Sequence, residues 1–355
     1  MKIKEVFIIV PSPTDDSPVK GAAALANSLC EWLPVTFITL KSGRDDFNLL
    51  NENVKWISLA DYSWLGKFKS LSRLFRQTGD QQNIASISSS FSADFINSLV
   101  NNHAITCASV RGNLPLNYSD TYGFIGRLIA YVHLKRLKKL NHVVSMTRSM
   151  AEQVERYIDR TSPVIGNFMD EGRVVKYRKN KRTNKVLRFI FTGSFTERKQ
   201  PLLLIEMVAK LHKQGIDFIL DMLGDGPLIG ASKKLAETLG VEDLVVFHGH
   251  VNEPYEYIAE ADVLILPSLS EGIPRSVLEA LCLGVPCILR DVDGNRELVK
   301  SGVNGELFAT DLELANTILK VVRQTQDGIF HKNNLIPDKF RQSSCSESYL
   351  SLISQ

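Results

Sequence analysis

The sequence predicts a tandem of two doubly wound α/β domains, each a parallel sheet covered by helices on both faces. Short β-branched runs alternate with amphipathic segments along most of the 355 residues, and that βαβα rhythm implies a parallel sheet. Most strand runs are apolar throughout, as strands buried on both faces must be. The rhythm lapses in the charged stretch Asp170–Lys185 (DEGRVVKYRKNKRTNK) and then restarts, which divides a chain too long for one ordinary core.

In the first domain (1–168), VFIIV, PVTFITL, NVKWISL, ITCASV and HVVSM read as strands, and GAAALANSLCEWL, ADFINSLVNN and GFIGRLIAYVHLKRLKKL as helices. Residues 169–185 read as a linker. In the second domain (186–325), VLRFIFTG, IDFILDMLGDG, LVVFHGH, DVLILPS, VPCILR and GELF are strands; QPLLLIEMVAKLHKQ, ASKKLAETLG, RSVLEALCLG and LELANTILKVVRQ are helices. The tail 326–355 ends in a helix-length segment with Phe340, Tyr349, Leu350 and Leu352 to bury, and is expected to pack back on the first domain.

The opening MKIKEVFIIVPSP mimics a signal peptide, but its apolar run Val6–Val10 is too short and follows Glu5, so it reads as a first strand. No stretch approaches the ~20 apolar residues of a membrane-spanning helix. Cys30, Cys107, Cys282, Cys287 and Cys345 are scattered without a CxxC pair, and read as buried thiols of a cytoplasmic protein. Residues 1–180 hold 23 Lys/Arg against 16 Asp/Glu, and the remainder 19 against 23. A basic first half suggests an acidic substrate or surface. No nucleic-acid motif accompanies it.

The chemistry concentrates in PSLSEGIPRSVLEALCLGVP, which sets Glu271 and Glu279 astride a helix start. Pro274 suits the first helical position and Gly284 closes the helix. Backbone N–H groups around Ile273–Val277 would point at an anion beyond the preceding strand, and a phosphate is the natural one. Carboxylates flanking a phosphate need another duty, and accepting hydrogen bonds from vicinal hydroxyls is one. A sugar on one glutamate, a diphosphate on the helix start and a ribose on the other make a nucleotide-sugar. For the pair alone, an ordinary surface helix with a capping acid reads equally well.

Other landmarks follow in order: FTGSFTERKQP, LDMLGDGP, VVFHGHV, YIAEADVLILPSLSEGIPRSVLEALCLGVPCILRDVDGNRELV and SGVNGELF. With these, the span Leu187–Phe308 resembles the retaining glycosyltransferases of family 4, which have the GT-B fold: two Rossmann-like domains facing a central cleft, the first for the acceptor and the second for the donor. The form SEGIPRSVLEAL is most similar to members that build bacterial O-antigen, capsule or exopolysaccharide.

The resemblance implies roles. Lys199 would contact the donor diphosphate. Ser194 replaces the family's usual arginine, and Arg198 either compensates or is a solvated helix-cap residue. Gly272, Ile273, Pro274, Ser276 and Val277 would hold phosphates through the helix start, Glu279 the ribose, and Glu271 the donor sugar near the reacting carbon. In the first half, Gly21 and Ala22 occupy the place of the family's glycine-rich loop. Arg111 stands where many relatives carry a histidine at the reaction centre; it would bind acceptor phosphate or help the leaving group, with a salt-bridged structural arginine as the plain alternative. Asn167 and Asp170 resemble the family's connector. Gly224–Gly226 is a turn or a nucleotide contact, and Glu297 a cleft residue or a helix cap.

The Asp-x-Asp at Asp291–Asp293 lies late in the second domain and reads as a loop, so no obligatory metal and no cofactor is expected. Two basic amphipathic segments, Trp64–Gln77 (with Lys67, Lys69, Arg73 and Arg76) and Gly126–Leu140 (with Lys135, Arg136, Lys138 and Lys139), read as core-facing stripes or as contacts with an anionic membrane.

The expectation is therefore a metal-independent, retaining transferase. It would move a hexose-type sugar from a nucleotide-sugar, UDP the commonest base, to a glycan or polyprenyl-pyrophosphate-linked acceptor, in the cytoplasm or at the inner membrane face. The alternatives are a nucleotide-sugar epimerase or hydrolase on the same fold, or a degenerate scaffold subunit. A dinucleotide dehydrogenase is disfavoured because no G-x-G-x-x-G follows the first strand.

Overall fold

The computed structural model describes residues 3–44, 46–79, 83–100, 103–179, 186–216, 218–330 and 334–355. The chain forms two units, one of Met1–Asp170 with Asp338–Gln355, the other Glu171–Pro337.

The first unit carries β1 (Glu5–Val10), α1 (Ser17–Leu29), β2 (Val35–Thr39), β3 (Val54–Ser58), α2 (Trp64–Thr78), β4 (Ile84–Ser88), α3 (Phe91–Asn97), β5 (Ile105–Val110), α4 (Leu114–Tyr122), α5 (Phe124–Leu137), β6 (His142–Ser145) and α6 (Arg148–Ile158). The second carries α7 (Glu171–Val174), β7 (Leu187–Thr192), α8 (Pro201–His212), β8 (Phe218–Leu223), α9 (Ile229–Leu239), β9 (Val245–Gly249), α10 (Tyr255–Glu260), β10 (Val263–Leu266), α11 (Arg275–Cys282), β11 (Cys287–Arg290), α12 (Asp293–Leu298), β12 (Gly305–Phe308) and α13 (Asp311–Gln326). Helix α14 (Gln342–Ile353) completes the first unit.

Each unit has a six-stranded sheet, ordered β3-β2-β1-β4-β5-β6 and β12-β11-β10-β7-β8-β9. All pairings within them are parallel. Read from its own first strand, the second order repeats the first. In such sheets the strand order reverses between the first and fourth strands, and ligands bind beyond the carboxyl ends there. That places β1 and β4, and β7 and β10, at the two switch points.

The apolar strands behave as their composition requires: Val6, Phe7, Ile8, Ile9 and Val10 are all buried, as are Phe189, Ile190, Phe191 and Val263–Leu266. One face of the first sheet is covered by α1 and α14, whose Tyr349, Leu352 and Ile353 join the cluster around Leu25 and Phe37. The opposite face takes α2 and α3, with Phe7 and Phe75 in ring contact at 4.6 Å.

Several elements differ from the sequence reading. Strand β4 (IASIS) is central, yet its serines hide it. They are buried because α3 satisfies them: Ser86 donates to Asn97 Oδ1 (2.6 Å) and Ser88 to Asp94 Oδ1 (2.6 Å). Helices α4, α6 and α10 were not foreseen; α4 and α10 are short, and α6 is set by a Thr147 cap that accepts from Met150 N–H. The stretch read as a linker contributes α7 and a 3₁₀ turn to the second unit, while residues 180–185 lie outside the described residues. Gly21 and Ala22 sit inside α1 rather than in a loop, because Asp16 caps the helix at Val19 N–H and Pro18 follows directly after its start.

Candidate functional site

In the second unit, residues that follow the carboxyl ends of β7 and β10 bring opposite charges together. After β7 the chain turns through the exposed Ser194 into a 3₁₀ turn, Glu197–Lys199. Gln200 takes a left-handed conformation (φ 52°), after which Pro201 starts α8. This geometry buries Lys199 and aims its ammonium at the loop after β10, where Nζ donates to Glu271 Oε1 at 2.5 Å. Arg198 joins it, donating to the Ser270 carbonyl (2.8 Å) and reaching Glu271 Oε1 (3.4 Å), while its own carbonyl accepts from Leu269 N–H. Two cations thus converge on one nearly buried carboxylate. Burial pulls the Lys199 ammonium below its ordinary value, and the charge of Glu271 offsets part of that pull.

The loop bearing Glu271 is fixed from below as well. Arg290 at the end of β11 is buried, donates through Nε to the Pro267 carbonyl (2.9 Å) and through Nη2 to Asp311 (2.5 Å), and lies over the Phe308 ring. Gly294 in α12 presses on the loop: a Cβ there would sit 1.1 Å from the Gly272 carbonyl oxygen. Just past the end of β8, the strand beside β7, Gly224 (φ 135°) approaches the Gly193 backbone so closely that a Cβ would lie 1.9 Å from its carbonyl oxygen. Here the glycine is needed for both the backbone conformation and the close approach.

Helix α11 begins one residue later than expected, with Pro274 as its N-cap and no side chain capping it among the described residues. Ile273, Pro274 and Val277 are buried, and Gly272 and Ser276 half-buried. An uncapped start facing the same strand ends as Lys199 suits an anion. Glu279 lies one turn inside, buried, 3.5 Å from Arg275 Nη2. Burial, and then Glu279's negative charge, push the Tyr255 phenol up. Neither Arg275 nor Tyr255 was anticipated, although Arg275 stands four residues before Glu279, the spacing of a helical ion pair.

In the Asp-x-Asp, Asp291 is held by Arg296 and Asp293 opens α12. Among the described residues no group of three or more His, Cys, Asp or Glu side chains could hold a metal ion.

In the first unit three predicted residues meet. Arg111 follows β5 and donates through Nη1 to Asn167 Oδ1 (2.8 Å), while its guanidinium covers Gly21, where a Cβ would lie 2.0 Å from Nη1. Ala22 faces the core. Asp170 is engaged elsewhere, accepting from Asn27 Nδ2 at 3.0 Å. A buried chain that sequence reasoning missed lies on the opposite face: Asp94 Oδ2 bonds His133 Nε2 (2.8 Å), and His133 Nδ1 bonds the Tyr118 hydroxyl (3.0 Å). No spacing signals it, because the three residues come from three helices.

Residues 175–333, which carry the whole Lys199–Glu271 constellation, match the model of the family described as glycosyl transferases group 1. The second unit is a group 1 glycosyl transferase domain. Over 148 residues (40% of its length) this chain is 30% identical to an Escherichia coli protein named UDP-Gal:alpha-D-GlcNAc-diphosphoundecaprenol alpha-1,3-galactosyltransferase. Over 94 residues (25% of this chain) it is 34% identical to the lipopolysaccharide 1,6-galactosyltransferase of Salmonella typhimurium. These matches take in 38% and 26% of the relatives' own lengths. The fold is GT-B. Anabaena Alr3699/HepE, solved with UDP, superposes with a TM-score of 0.77 over 100% of both chains at 16% identity. The lipopolysaccharide outer core galactosyltransferase WaaB, in its apo form, superposes at 0.67, covering 98% of this chain and 99% of its own, also at 16% identity.

Proposed function

We propose that this chain is a glycosyltransferase of bacterial surface polysaccharide biosynthesis, transferring a hexose from a UDP-sugar with retention at the anomeric carbon. The observation that carries the reading is the convergence of Lys199 and Arg198 on Glu271 beside the uncapped start of α11. Cations and helix N–H groups there suit a diphosphate, and the carboxylate suits the hydroxyls of the sugar attached to it. UDP is favoured because a structural neighbour holds it and a sequence relative is named for UDP-Gal. The acceptor is a glycan or a polyprenyl-pyrophosphate-linked glycan; the latter class appears in the name of one relative.

In this reading the donor diphosphate displaces Glu271 from Lys199. The ammonium then neutralises the departing phosphate, and Glu271 turns to the donor sugar. Glu279 accepts from the ribose hydroxyls. On the front-face route the acceptor hydroxyl attacks the anomeric carbon as the C–O bond to phosphate breaks. The departing phosphate oxygen takes the acceptor's proton, so no separate base is needed. No metal is required, since Lys199, Arg198 and the helix start supply the positive charge and Asp291 is already engaged by Arg296. Arg111, beside Gly21 and Asn167, offers a guanidinium to acceptor phosphate. Work at the inner face of the cytoplasmic membrane belongs to the same proposal; no described helix is long and apolar enough to cross one.

The test is a panel of UDP- and GDP-sugars followed by NMR with EDTA present. Slow release of UDP from one donor, abolished in Glu271→Ala, is the expected outcome. Donor binding without turnover even after addition of a lipid-linked acceptor would instead indicate a scaffold subunit.

A further inference from the structure

Helix α5 presents its apolar residues outward. Phe124 is 87% exposed, Ile125 65% and Leu128 64%, and Tyr131 and Val132 are also exposed. The helix is not free to roll these inward. Its inner face is Gly126, Ala130, His133, Leu134 and Leu137, all buried. His133 is pinned by Asp94 and Tyr118, and Gly126 packs so tightly on α4 that a Cβ would lie 2.0 Å from the Tyr118 carbonyl oxygen. The contrast with α2 is instructive: both helices read as basic amphipathic segments, but α2 buries Leu71 and Phe75 and packs Phe68 and Leu74 against the same core. Its stripe faces the core.

The apolar face continues beyond α5. Tyr122 is exposed and stacks on Tyr118, and a chain of ring contacts runs from Tyr118 through Phe91 and Phe95 to Trp64. Trp64 and the adjacent Leu65 are exposed at the start of α2. Exposed apolar patches of this kind mark an interaction surface rather than ordinary solvent-facing residues.

Charge decides what covers it. From Phe124 to Lys139 the sequence contains no Asp or Glu but has Arg127, Lys135, Arg136, Lys138 and Lys139. Arg127, Lys135, Lys138 and Lys139 are exposed, and Lys135 lies over the Tyr131 ring. A protruding apolar corner bordered by cations, with tryptophan and tyrosine along its edge, fits the headgroup region of an anionic bilayer. We propose that the outer face of α5, with the α4–α5 corner at its tip, docks this chain onto an anionic phospholipid surface, inserting Phe124, Ile125 and Leu128. The proposal deepens the peripheral-membrane part of the reading above. It does not depend on which sugar or acceptor is used.

The test is flotation of the full chain with vesicles of phosphatidylcholine alone and of phosphatidylcholine mixed with phosphatidylglycerol. Binding to the mixed vesicles, weakening as salt rises, is expected. The double variant Phe124→Glu/Leu128→Glu, at exposed positions, is expected to lose at least about tenfold in partitioning. Lys135→Gln and Lys139→Gln should each cost roughly fivefold. UDP-sugar hydrolysis in solution should be unchanged in all three. Wild-type protein that floats with neither vesicle, or a double variant that floats like wild type, overturns the proposal. So does a wild-type dimer that fails to float and that the double variant dissolves, because the face then belongs to a second copy. Flotation without any donor hydrolysis leaves the docking in place and sinks the transferase reading instead.

Discussion

Lys199 carries a positive charge into a nearly dry position, where it pairs with Glu271 and, in the proposed reaction, with the donor diphosphate. The consequence is a pH dependence of donor binding with a definite sign. The ammonium form binds phosphate, and burial lowers the pKa from its ordinary 10.5. Above the range in which the terminal phosphate of UDP titrates, affinity for UDP should therefore hold steady and then fall as pH rises through that lowered value, by up to about tenfold per pH unit, before an ordinary lysine would begin to titrate. In Lys199→Arg the alkaline limb should vanish, since a guanidinium does not titrate in this range. Isothermal titration of UDP across pH measures it, and identical profiles for the two proteins would remove Lys199 from the phosphate site. At Gly21 the argument is steric. Gly21→Ala must push the Arg111 guanidinium aside, and because that is the end of a flexible side chain the fold should survive at a cost below about 1.5 kcal/mol. If Arg111 serves the acceptor, transfer should fall while donor hydrolysis stays, a split that kinetics with and without acceptor reads directly.

At the scale of elements, the loop Pro267–Ile273 is held by a different neighbour along its length: Arg290 at Pro267, Arg198 at Ser270 and Gly294 at Gly272. Gly294→Ala sets a methyl group against a backbone carbonyl, which cannot rotate away as a side chain can. An overpacking cost of about 1–3 kcal/mol is expected, together with a larger loss of turnover, because the displaced segment carries Glu271. Thermal melts and donor hydrolysis on the same variant compare the two, and a full-strength enzyme with a lowered melting point would show that the loop's position is not critical. Much of this unit was legible in the sequence because its motifs are contiguous: each strand end, turn and helix start falls within one short segment, and all six strands appear where their apolar runs predict. Strand β4 was not legible, since its serines become core residues only when Asp94 and Asn97 of α3 meet them. The Arg111–Gly21–Asn167 contact was hidden for a similar reason. It joins residues far apart in the chain, and no local period reports it. Exposure was illegible too: the charge patterns of α2 and α5 look alike, and it takes the His133 anchor and the close packing of Gly126 on α4 to show which way α5 faces.

At the scale of the whole molecule, the first unit is discontinuous in sequence. The chain leaves it after Asp170, builds the entire second unit, and returns at Asp338 to finish it. The returning segment closes a core: Phe340, Tyr349, Leu352 and Ile353 are buried, and the Tyr349 hydroxyl bonds Ser109 on β5 at 2.8 Å. Gln342 donates to the Ala24 carbonyl of α1, and Phe340 fills the space over Gly166, where even a Cβ would meet its ring at 2.3 Å. Removing residues 338–355 therefore strips four large side chains from one face of the first sheet and exposes the apolar side of α1. At about 1.5–3 kcal/mol for each such side chain, the loss is comparable to the 5–15 kcal/mol stability of a typical domain. The second unit has a six-stranded sheet and the Lys199–Glu271 pair of its own. A chain ending at Pro337 should then show a first unit that exchanges its amide protons freely and is cut readily by protease. Residues 186–330 should remain protected and should still bind UDP. Hydrogen exchange read by mass spectrometry distinguishes this from cooperative loss of both units, in which protection and UDP binding would disappear together and the second unit would prove unable to stand without the first.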